Sequence, residues 1–288
     1  MKISTLDLLA CPTCHGKLEY FCAEPGAEDC QTGNLYCHAC SVNYSIVQGI
    51  PCFIQSQDLS GLNQRFARLY DWFSWIYWPF SKLAFAYIGM SEEQGRREIT
   101  DRLNPRGSPG SSIIIPEAQR SGTARGGKVL EVSVGPGVNL PYLVNRPDVS
   151  EIYGLDISYG QLKRCQSYAH GKCWDVSLFH GNGEKLPFRD ESFDSVFHIG
   201  GINFFNDKKA AIEEMIRVAK PGARIIIADE SEMGARGYER FIPGFKSSFG
   251  GKRESITAPL NLVPSQMLET HVVDVWKGWL YCLEFTKP

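Results

Sequence analysis

The sequence lacks several features that would place it in a class at once. Its 30 Lys and Arg residues nearly balance 32 Asp and Glu residues, for a formal net charge of −2, which gives no bulk attraction to nucleic acid. No uninterrupted apolar stretch reaches the roughly 20 residues that a membrane-spanning helix needs. The first residues also lack the basic, apolar and small-residue order of a secretory signal. We therefore expect a cytoplasmic protein without a transmembrane segment.

A disulfide framework is not indicated either, although the chain has ten cysteines. Such frameworks belong to small secreted domains, whereas this chain has 288 residues. Four cysteines form two C-x-x-C pairs, Cys11 with Cys14 and Cys37 with Cys40. This spacing lets both thiolates of a pair reach one ion, and two pairs complete a structural zinc site. The remaining cysteines fit no pairing pattern and are expected to be small buried residues: Cys22, Cys30, Cys52, Cys165, Cys173 and Cys282.

Residues 1–56 are therefore predicted to form a zinc ribbon, whose metal supplies much of the folding energy because so small a core rarely suffices. Tyr44 and a Gly-Ile-Pro turn at 49–51 follow the second cysteine pair. On these features the segment resembles the small zinc-ribbon activator of tRNA and release-factor methyltransferases. Through Asp58 it carries two lysines against six carboxylates, so it is a poor clamp for RNA.

An apolar run ends in a tight glycine turn at 129–137, with the sequence VLEVSVGPG. Nineteen residues after Gly137, a second apolar segment ends at Asp156. Glycine lets the backbone approach a ligand, and a carboxylate at the end of the next strand is placed to accept hydrogen bonds from a ribose diol. The pattern predicts a nucleoside site, although Asp156 could instead cap the helix that follows it.

The details of the turn favour S-adenosylmethionine over a dinucleotide. Gly135 and Gly137 lack the third glycine of the dinucleotide fingerprint, and Pro136 removes an N–H that a pyrophosphate would use. Glu131 adds a carboxylate beside the turn, which suits a ligand with an ammonium group and repels a pyrophosphate. We therefore expect S-adenosylmethionine as the cofactor.

Three later motifs complete a known pattern: GNGEKLPF at 181–188, FDSVF at 193–197 and RVAKPG at 217–222. With them, the region from about residue 127 to 288 resembles the class I S-adenosylmethionine-dependent methyltransferases, in particular the ubiquinone and menaquinone methyltransferases. The resemblance implies methyltransferase activity and an α/β fold. That fold is a Rossmann-like, mostly parallel seven-stranded sheet that ends in an antiparallel hairpin.

The apolar pattern of the chain agrees with such a fold, because short apolar strands interleaved with helices imply a parallel sheet covered on both faces. Ser91 and Gln94 predict a capping box for a helix through Leu103. The predicted strands are 129–134, 151–155, 176–180, 193–199 and 223–229. One helix is predicted to begin near Asn139, and two more are predicted at 159–169 and 207–219. A hairpin is predicted with its turn at Lys277 and Gly278. Domain limits follow as ribbon 1–56, helical lid or linker 57–103, flexible insertion 104–128 and methyltransferase domain 129–288.

The resemblance also implies which residues hold the donor. Asn182 stands where the family usually has aspartate, and its carbonyl can still accept from the adenine amino group. His198 follows the fourth strand and is either the base that removes an acceptor proton or a histidine satisfied by backbone. The implied donor site comprises Tyr70, Glu131, Ser133, Gly135, Gly137, Asn139, Asp156, Ile157, Gln161, Asn182, Gly183 and His198.

An aromatic-rich stretch at 62–89 has two interpretations. It either packs on the main domain or forms a lid over the donor and an apolar acceptor. The Tyr70-Asp71 pair resembles one in the N-terminal helix of the quinone methyltransferases and favours the lid. Peripheral contact of this stretch with a membrane is a further expectation. The segment 233–258 is likewise either a solvated loop or a second wall of the acceptor pocket.

The acceptor is expected to be a small aromatic or lipophilic molecule, methylated at carbon or oxygen. The chain lacks the Asn/Asp-Pro-Pro-aromatic motif that methyltransferases acting on exocyclic amines and glutamine amides carry after the fourth strand. Two alternatives stay open: a base methyltransferase of rRNA or tRNA that recognises its substrate through the ribbon, and a non-catalytic docking protein. The acidic ribbon disfavours the first, and donor binding with turnover would exclude the second. The oligomeric state is not indicated.

Overall fold

The structure, a computed structural model, divides into a small antiparallel sheet and a larger mixed sheet. It describes residues 1–23, 28–55, 61, 84–104, 126–241 and 255–288. Tyr70 and most of the predicted lid, nearly all of the predicted insertion, and residues 242–254 lie outside these ranges. None of the described helices combines the length and the apolar character that a bilayer-spanning segment requires.

The small sheet lies in the predicted ribbon and contains four antiparallel strands in chain order. The first cysteine pair follows a 3-10 helix at Ile3–Leu8, and the second pair occupies the end of the second strand and the turn after it. The third and fourth strands are joined by Gln48 and Gly49, both with positive φ. The strands are β1 (Glu19–Cys22), β2 (Thr32–Cys37), β3 (Val42–Val47) and β4 (Ile50–Pro51).

The large sheet has seven strands and confirms the predicted fold class. Five strands run parallel and two antiparallel strands complete one edge. In chain order the strands are β5 (Gly127–Val132), β6 (Val149–Asp156), β7 (Val176–His180), β8 (Phe193–Ile199), β9 (Ala219–Glu230), β10 (Leu268–Val275) and β11 (Leu280–Thr286). Their order across the sheet is β10-β11-β9-β8-β5-β6-β7.

Besides the helical residues 61 and 84–88, the described part of the chain contains four α-helices that accompany this sheet: α1 (Glu92–Thr100), α2 (Tyr159–Gly171), α3 (Lys208–Val218) and α4 (Glu232–Phe241). The predicted capping box is present, with Ser91 and Gln94 bonding reciprocally. The helix predicted from about Asn139 is wrong, because only a 3-10 turn at Leu140–Tyr142 forms there. Pro141 and Pro147 leave room for less than two helical turns between them, and each lacks the N–H that a helix interior needs.

The ribbon lies against the otherwise open edge of the large sheet at β7. The Phe53 N–H donates to the His180 carbonyl at 2.8 Å, and Cys52 forms a parallel bridge with the same residue. On the other side, Leu9 forms an antiparallel bridge with Phe188. Leu9, Phe53 and Phe188 belong to one buried cluster that spans both sheets. The ribbon therefore covers a strand edge and shares a hydrophobic core with the large domain.

A shared core predicts that a defect in the ribbon destabilises the whole chain. Phe53 is 3% exposed and packs on Tyr44, so Phe53→Ala is expected to lower the free energy of unfolding by about 3–5 kcal/mol. Every tryptophan lies at or beyond residue 72, so urea unfolding followed by tryptophan fluorescence reports on the large domain. The control is Phe21→Ala at a side chain 51% exposed, expected to change stability by less than about 0.5 kcal/mol. An unchanged fluorescence transition in Phe53→Ala would contradict the shared core.

Candidate active site

A cavity opens where the carboxyl ends of four neighbouring strands meet. Its walls include Ser133 after β5, Asp156 at the end of β6, Ile199 at the end of β8 and Glu230 at the end of β9. In an open parallel sheet this edge is where ligands bind, because the loops that leave the strands diverge there.

The glycine turn forms one wall of the cavity, and its two glycines have different roles. Gly135 has φ of 55°, and a Cβ built on it would meet nothing within 4 Å, so the space above its backbone is open to a ligand. Gly137 has φ of 84°, but a Cβ there would strike Leu140 and Cys165. Gly137 therefore serves the packing of the turn and does not line the cavity, whereas Gly135 and Ser133 do.

The Asp156 carboxylate holds this turn in place. Its Oδ2 accepts the Gly135 N–H at 2.8 Å, and its Oδ1 accepts the Ser158 N–H at 2.8 Å. Ser158, not Asp156, caps α2 by accepting the Gln161 N–H. Asp156 lies in the cavity wall with Ile157 and Gln161, and each carboxylate oxygen can accept a further hydrogen bond. The predicted ribose acceptor is thus beside the cavity, anchored by backbone.

Glu131 begins a buried polar chain that reaches into the helical segment. Its Oε1 accepts from Asn139 Nδ2 at 2.6 Å, and Asn139 Oδ1 accepts from Arg96 Nη1 at 2.9 Å. Glu131 is 0% exposed, and its Oε2 has no hydrogen-bond partner in the described part of the chain. Burial raises the pKa of this carboxyl to about 8. An ammonium group in the cavity would supply the missing donor and favour the ionised carboxylate.

Arg96 was not predicted from the sequence. Its guanidinium is 2% exposed and also pairs with Glu92 one turn away on α1. Nothing near position 96 in the sequence marks it out from the other charged residues of that helix, because its partner Asn139 is far along the chain. Only the fold brings the two together.

His198 lies behind the cavity wall and does not line it. Its side chain is 0% exposed, and its Nδ1 is 2.9 Å from the Val132 carbonyl oxygen, so Nδ1 carries the proton that this bond requires. Burial lowers the pKa of the imidazole, which keeps the ring neutral. The backbone therefore satisfies Nδ1, whereas Nε2 is buried without a hydrogen-bond partner among the described residues. The catalytic role stays a prediction without a cavity contact to support it.

Asn182 and Gly183 also lie outside the cavity lining. Asn182 Oδ1 accepts the Glu184 N–H at 3.0 Å, so the carbonyl expected to receive the adenine amino group already holds a local turn. A Cβ on Gly183 would be 2.8 Å from the Phe205 ring, and Phe205 does line the cavity. The Phe205 ring therefore packs on this loop, and the adenine contact stays a prediction.

Two adjacent carboxyl groups at the end of β9 were missed. Asp229 is 0% exposed and accepts three backbone N–H groups, from Gly201 at 3.1 Å, Asn203 at 2.7 Å and Glu230 at 2.9 Å. Glu230 lines the cavity. The sequence signal was available, since the apolar run at 225–228 ends in these two acids, and a strand that ends in acids places them at the ligand-binding edge of a parallel sheet.

The four ribbon cysteines form a second cluster, as predicted. Their sulfur atoms all lie within 4.8 Å of one another, with 3.9 Å from Cys11 to Cys40 and 3.5 Å from Cys14 to Cys37. None of the four is in a disulfide. A tetrahedral zinc–thiolate site with zinc–sulfur bonds of about 2.3 Å has sulfur–sulfur edges of about 3.8 Å. The donor set and its dimensions therefore fit zinc.

Comparison with known proteins agrees with both parts of the fold. Residues 130–227 match the family model described as a methyltransferase domain. This match spans 98 of the chain's 288 residues. Residues 2–49 match the family model of the Trm112p-like proteins, in line with the predicted ribbon.

Curated relatives match the methyltransferase part of the chain. An O-methyltransferase of Aspergillus nomiae is 32% identical over 147 residues, which cover 50% of this chain and 62% of the relative. A demethylmenaquinone methyltransferase of Corynebacterium glutamicum is 37% identical over 113 residues, 39% of this chain and 46% of the relative. This chain thus spans about half the length of these relatives.

A solved structure supports the fold alone. The crystal structure of an S-adenosylmethionine-dependent methyltransferase from Thermotoga maritima superposes with a TM-score of 0.51 at 18% identity. The superposition covers 79% of this chain and 100% of that protein.

The buried Glu131 carboxyl predicts a pH-dependent stability. Its pKa of about 8 in the folded protein exceeds the ordinary value near 4.3 in an unfolded chain. The folded state therefore holds the proton more tightly, and stability falls as pH rises from about 4.5 to about 8, by at most about 1.4 kcal/mol per pH unit. Glu131→Gln should remove this part of the dependence.

The measurement is thermal unfolding of the unliganded protein at pH 5.5 and pH 7.5, for wild type and Glu131→Gln. The variant should lose less stability than wild type between the two buffers. Glu213→Gln, at a carboxyl 55% exposed on α3, serves as the matched control and should follow wild type. Equal losses in wild type and Glu131→Gln would contradict the assignment.

Proposed function

We propose that the protein is an S-adenosylmethionine-dependent methyltransferase that acts on a small aromatic or lipophilic acceptor at oxygen or carbon. The observation that carries this proposal is the set of groups around the glycine turn. Glu131 offers a buried carboxyl oxygen without a partner in the described residues, Gly135 leaves open space above its backbone, and Asp156 presents a carboxylate at the end of β6. The complementary ligand groups are an ammonium group for Glu131, a chain that passes close to the backbone at Gly135, and a ribose diol for Asp156. S-adenosylmethionine has all three.

Each residue has a distinct part in holding the donor. Glu131 accepts a hydrogen bond from the methionine ammonium, and Asn139 and Arg96 fix the position of that carboxylate. Asp156 accepts from the ribose hydroxyls while its backbone donors hold it in position. When bound, S-adenosylmethionine supplies a methyl group on a sulfonium, which is already electrophilic. The protein's contribution is then to orient the two reactants and exclude water.

The cavity walls favour an uncharged acceptor. Ile199, Phe204 and Phe205 give one side an apolar surface. Among the described residues that line the cavity, Glu131, Asp156 and Glu230 are acidic and none is Lys or Arg. An anionic acceptor would be repelled at this site, whereas a neutral hydroxyl-bearing ring would not. The relatives named as an O-methyltransferase and a demethylmenaquinone methyltransferase support the same class.

We further propose that Cys11, Cys14, Cys37 and Cys40 hold one structural zinc ion in the ribbon at 1–56. The closed set of four sulfurs leaves no position for a substrate, which is typical of a structural site. Tyr44 Oη lies 3.4 Å from Cys11 Sγ, and a phenol that donates to a metal-bound thiolate fixes its orientation. Because the ribbon shares its core with the large domain, loss of the metal should weaken both.

Donor binding tests the proposed function. Asp156→Ala removes two charge-assisted hydrogen bonds to ribose and loosens the turn at Gly135, so the affinity for S-adenosylhomocysteine should fall at least about tenfold. Titration calorimetry measures this, with Asp274→Ala at an exposed position on β10 as the control that should bind like wild type. Unchanged affinity in Asp156→Ala would refute the ribose contact. Tight binding of NADH by wild type, or no binding of S-adenosylhomocysteine, would refute the donor itself.

Elemental analysis tests the zinc proposal. Wild type and Cys173→Ser, an exposed cysteine outside the cluster, should each contain about one zinc per chain. Cys37→Ser should lose the metal and unfold at lower temperature, since the binding energy of a structural zinc is part of the folding energy. Purified wild type without stoichiometric metal, or with the cluster sulfurs joined in disulfides, would contradict the proposal.

A further inference from the structure

The position of Glu230 places a carboxyl group on the acceptor side of the cavity. The proposed donor contacts lie at the ends of β5 and β6, whereas Glu230 ends β9, which is separated from β5 by β8. At about 4.8 Å per strand, Glu230 stands about 10 Å across the sheet from the glycine turn. The cavity wall runs continuously between them, through Ile199, Gly200 and Gly201 after β8.

The environment of Glu230 does not assign it a structural role. Its neighbour Asp229 accepts hydrogen bonds from the backbone N–H groups of Gly201, Asn203 and Glu230. These bonds connect the loop after β8 to the end of β9. Glu230 lines the cavity, and its carboxyl is hydrogen-bonded to Asp229 but forms no ion pair with a Lys or Arg among the described residues. Each carboxylate oxygen can accept more than one hydrogen bond, so these contacts leave capacity for a ligand.

The groups around Glu230 favour its protonated form. Burial and the neighbouring Asp229 charge raise its pKa well above the ordinary value. From β11, the Tyr281 hydroxyl is buried near both acids, and from β8 the neutral His198 faces Asp229. Across the cavity stand Glu131 and Asp156, and none of these groups is a cation. A raised pKa makes the ionised carboxylate a stronger base toward an acceptor hydroxyl.

We propose that Glu230 is the general base that takes the proton from a hydroxyl group of the acceptor. The inference rests on the proposed methyltransferase function and names its acceptor class as neutral phenols and enols. In the transfer, the hydroxyl proton passes to the Glu230 carboxylate while the acceptor oxygen forms a bond to the methyl carbon. The carbon–sulfur bond breaks, sulfur keeps its electron pair as a neutral thioether, and Glu230 later releases the proton to solvent.

His198 is the competing candidate, and its geometry argues against it. Its Nδ1 is committed to the Val132 carbonyl and its ring does not line the cavity. A group that removes an acceptor proton must come within hydrogen-bond reach of it. Glu230 lines the cavity in which the acceptor would bind, whereas His198 does not.

The test compares full-length wild type with Glu230→Gln and with Glu213→Gln, the same substitution at an exposed site on α3. Calorimetry with S-adenosylhomocysteine comes first, and all three proteins should bind it with affinities within about twofold. Initial rates of methyl transfer are then measured from pH 6 to 9 on a panel of substituted catechols and hydroquinones of graded acidity. At pH 7, Glu230→Gln should lose at least a hundredfold in kcat, on the order expected for a general base.

The pH profile separates a base from a residue that only shapes the cavity. In wild type, kcat should rise with pH through one ionisation, because only the ionised carboxylate accepts a proton. In Glu230→Gln, that ionisation should vanish, and the residual rate should follow the acidity of each acceptor. A variant with the wild-type profile, or one that loses S-adenosylhomocysteine binding as well, would overturn the proposal. So would transfer by wild type to amine or carboxylate probes alone.

A spectroscopic titration keeps the proposal testable without turnover. Infrared spectra of protein labelled with carboxyl-¹³C glutamate should show a protonated carboxyl at pH 6 that is present in wild type and Glu213→Gln and absent in Glu230→Gln. Absence of that difference overturns the role of Glu230. Failure of wild type to bind S-adenosylhomocysteine contradicts the proposed function instead, so the two failures are distinguishable.

Discussion

Burial of carboxyl groups at the ends of parallel strands is the constraint on which the candidate site depends. A carboxylate out of water must either receive hydrogen bonds or take up a proton. Asp156 and Asp229 receive backbone N–H groups and hold the loops that follow β5 and β8. Glu131 and Glu230 have raised pKa values and face the cavity. Asp156 and Asp229 thus hold the loops of the site, and Glu131, Asp156 and Glu230 line the cavity where a ligand can reach them.

Features encoded by neighbouring residues could be predicted from the sequence. The capping box at Ser91, the cysteine pairs and the strands of the large sheet follow from spacing and apolar pattern, and the structure contains them. The helix expected after the glycine turn does not form, because Pro141 and Pro147 interrupt the segment. Contacts between distant segments, such as Arg96 with Asn139, depend on topology and leave no mark on local sequence.

The same distinction applies within the site. Asp156 and Glu131 could be placed because strand ends and glycine turns fix their surroundings locally. Asn182 and His198 could not, since their exposure depends on how the loop from Gly200 to Phe205 packs over them. That packing is set by the Asp229 carboxylate from another strand. The motif at 181–188 alone therefore does not determine which residues line the cavity. Glu230 could have been placed from the sequence, because the apolar run at 225–228 ends in two acids.

The bridge between the ribbon and β7 also bears on how such a chain can change over generations. A segment tethered by a linker can be exchanged or lost while its neighbour keeps its shape. Here Phe53 and Leu9 fill the same interior as Phe188, so a substitution on either side alters the fit of the other. Replacing the ribbon with a foreign one would therefore require matching changes around residues 176–188.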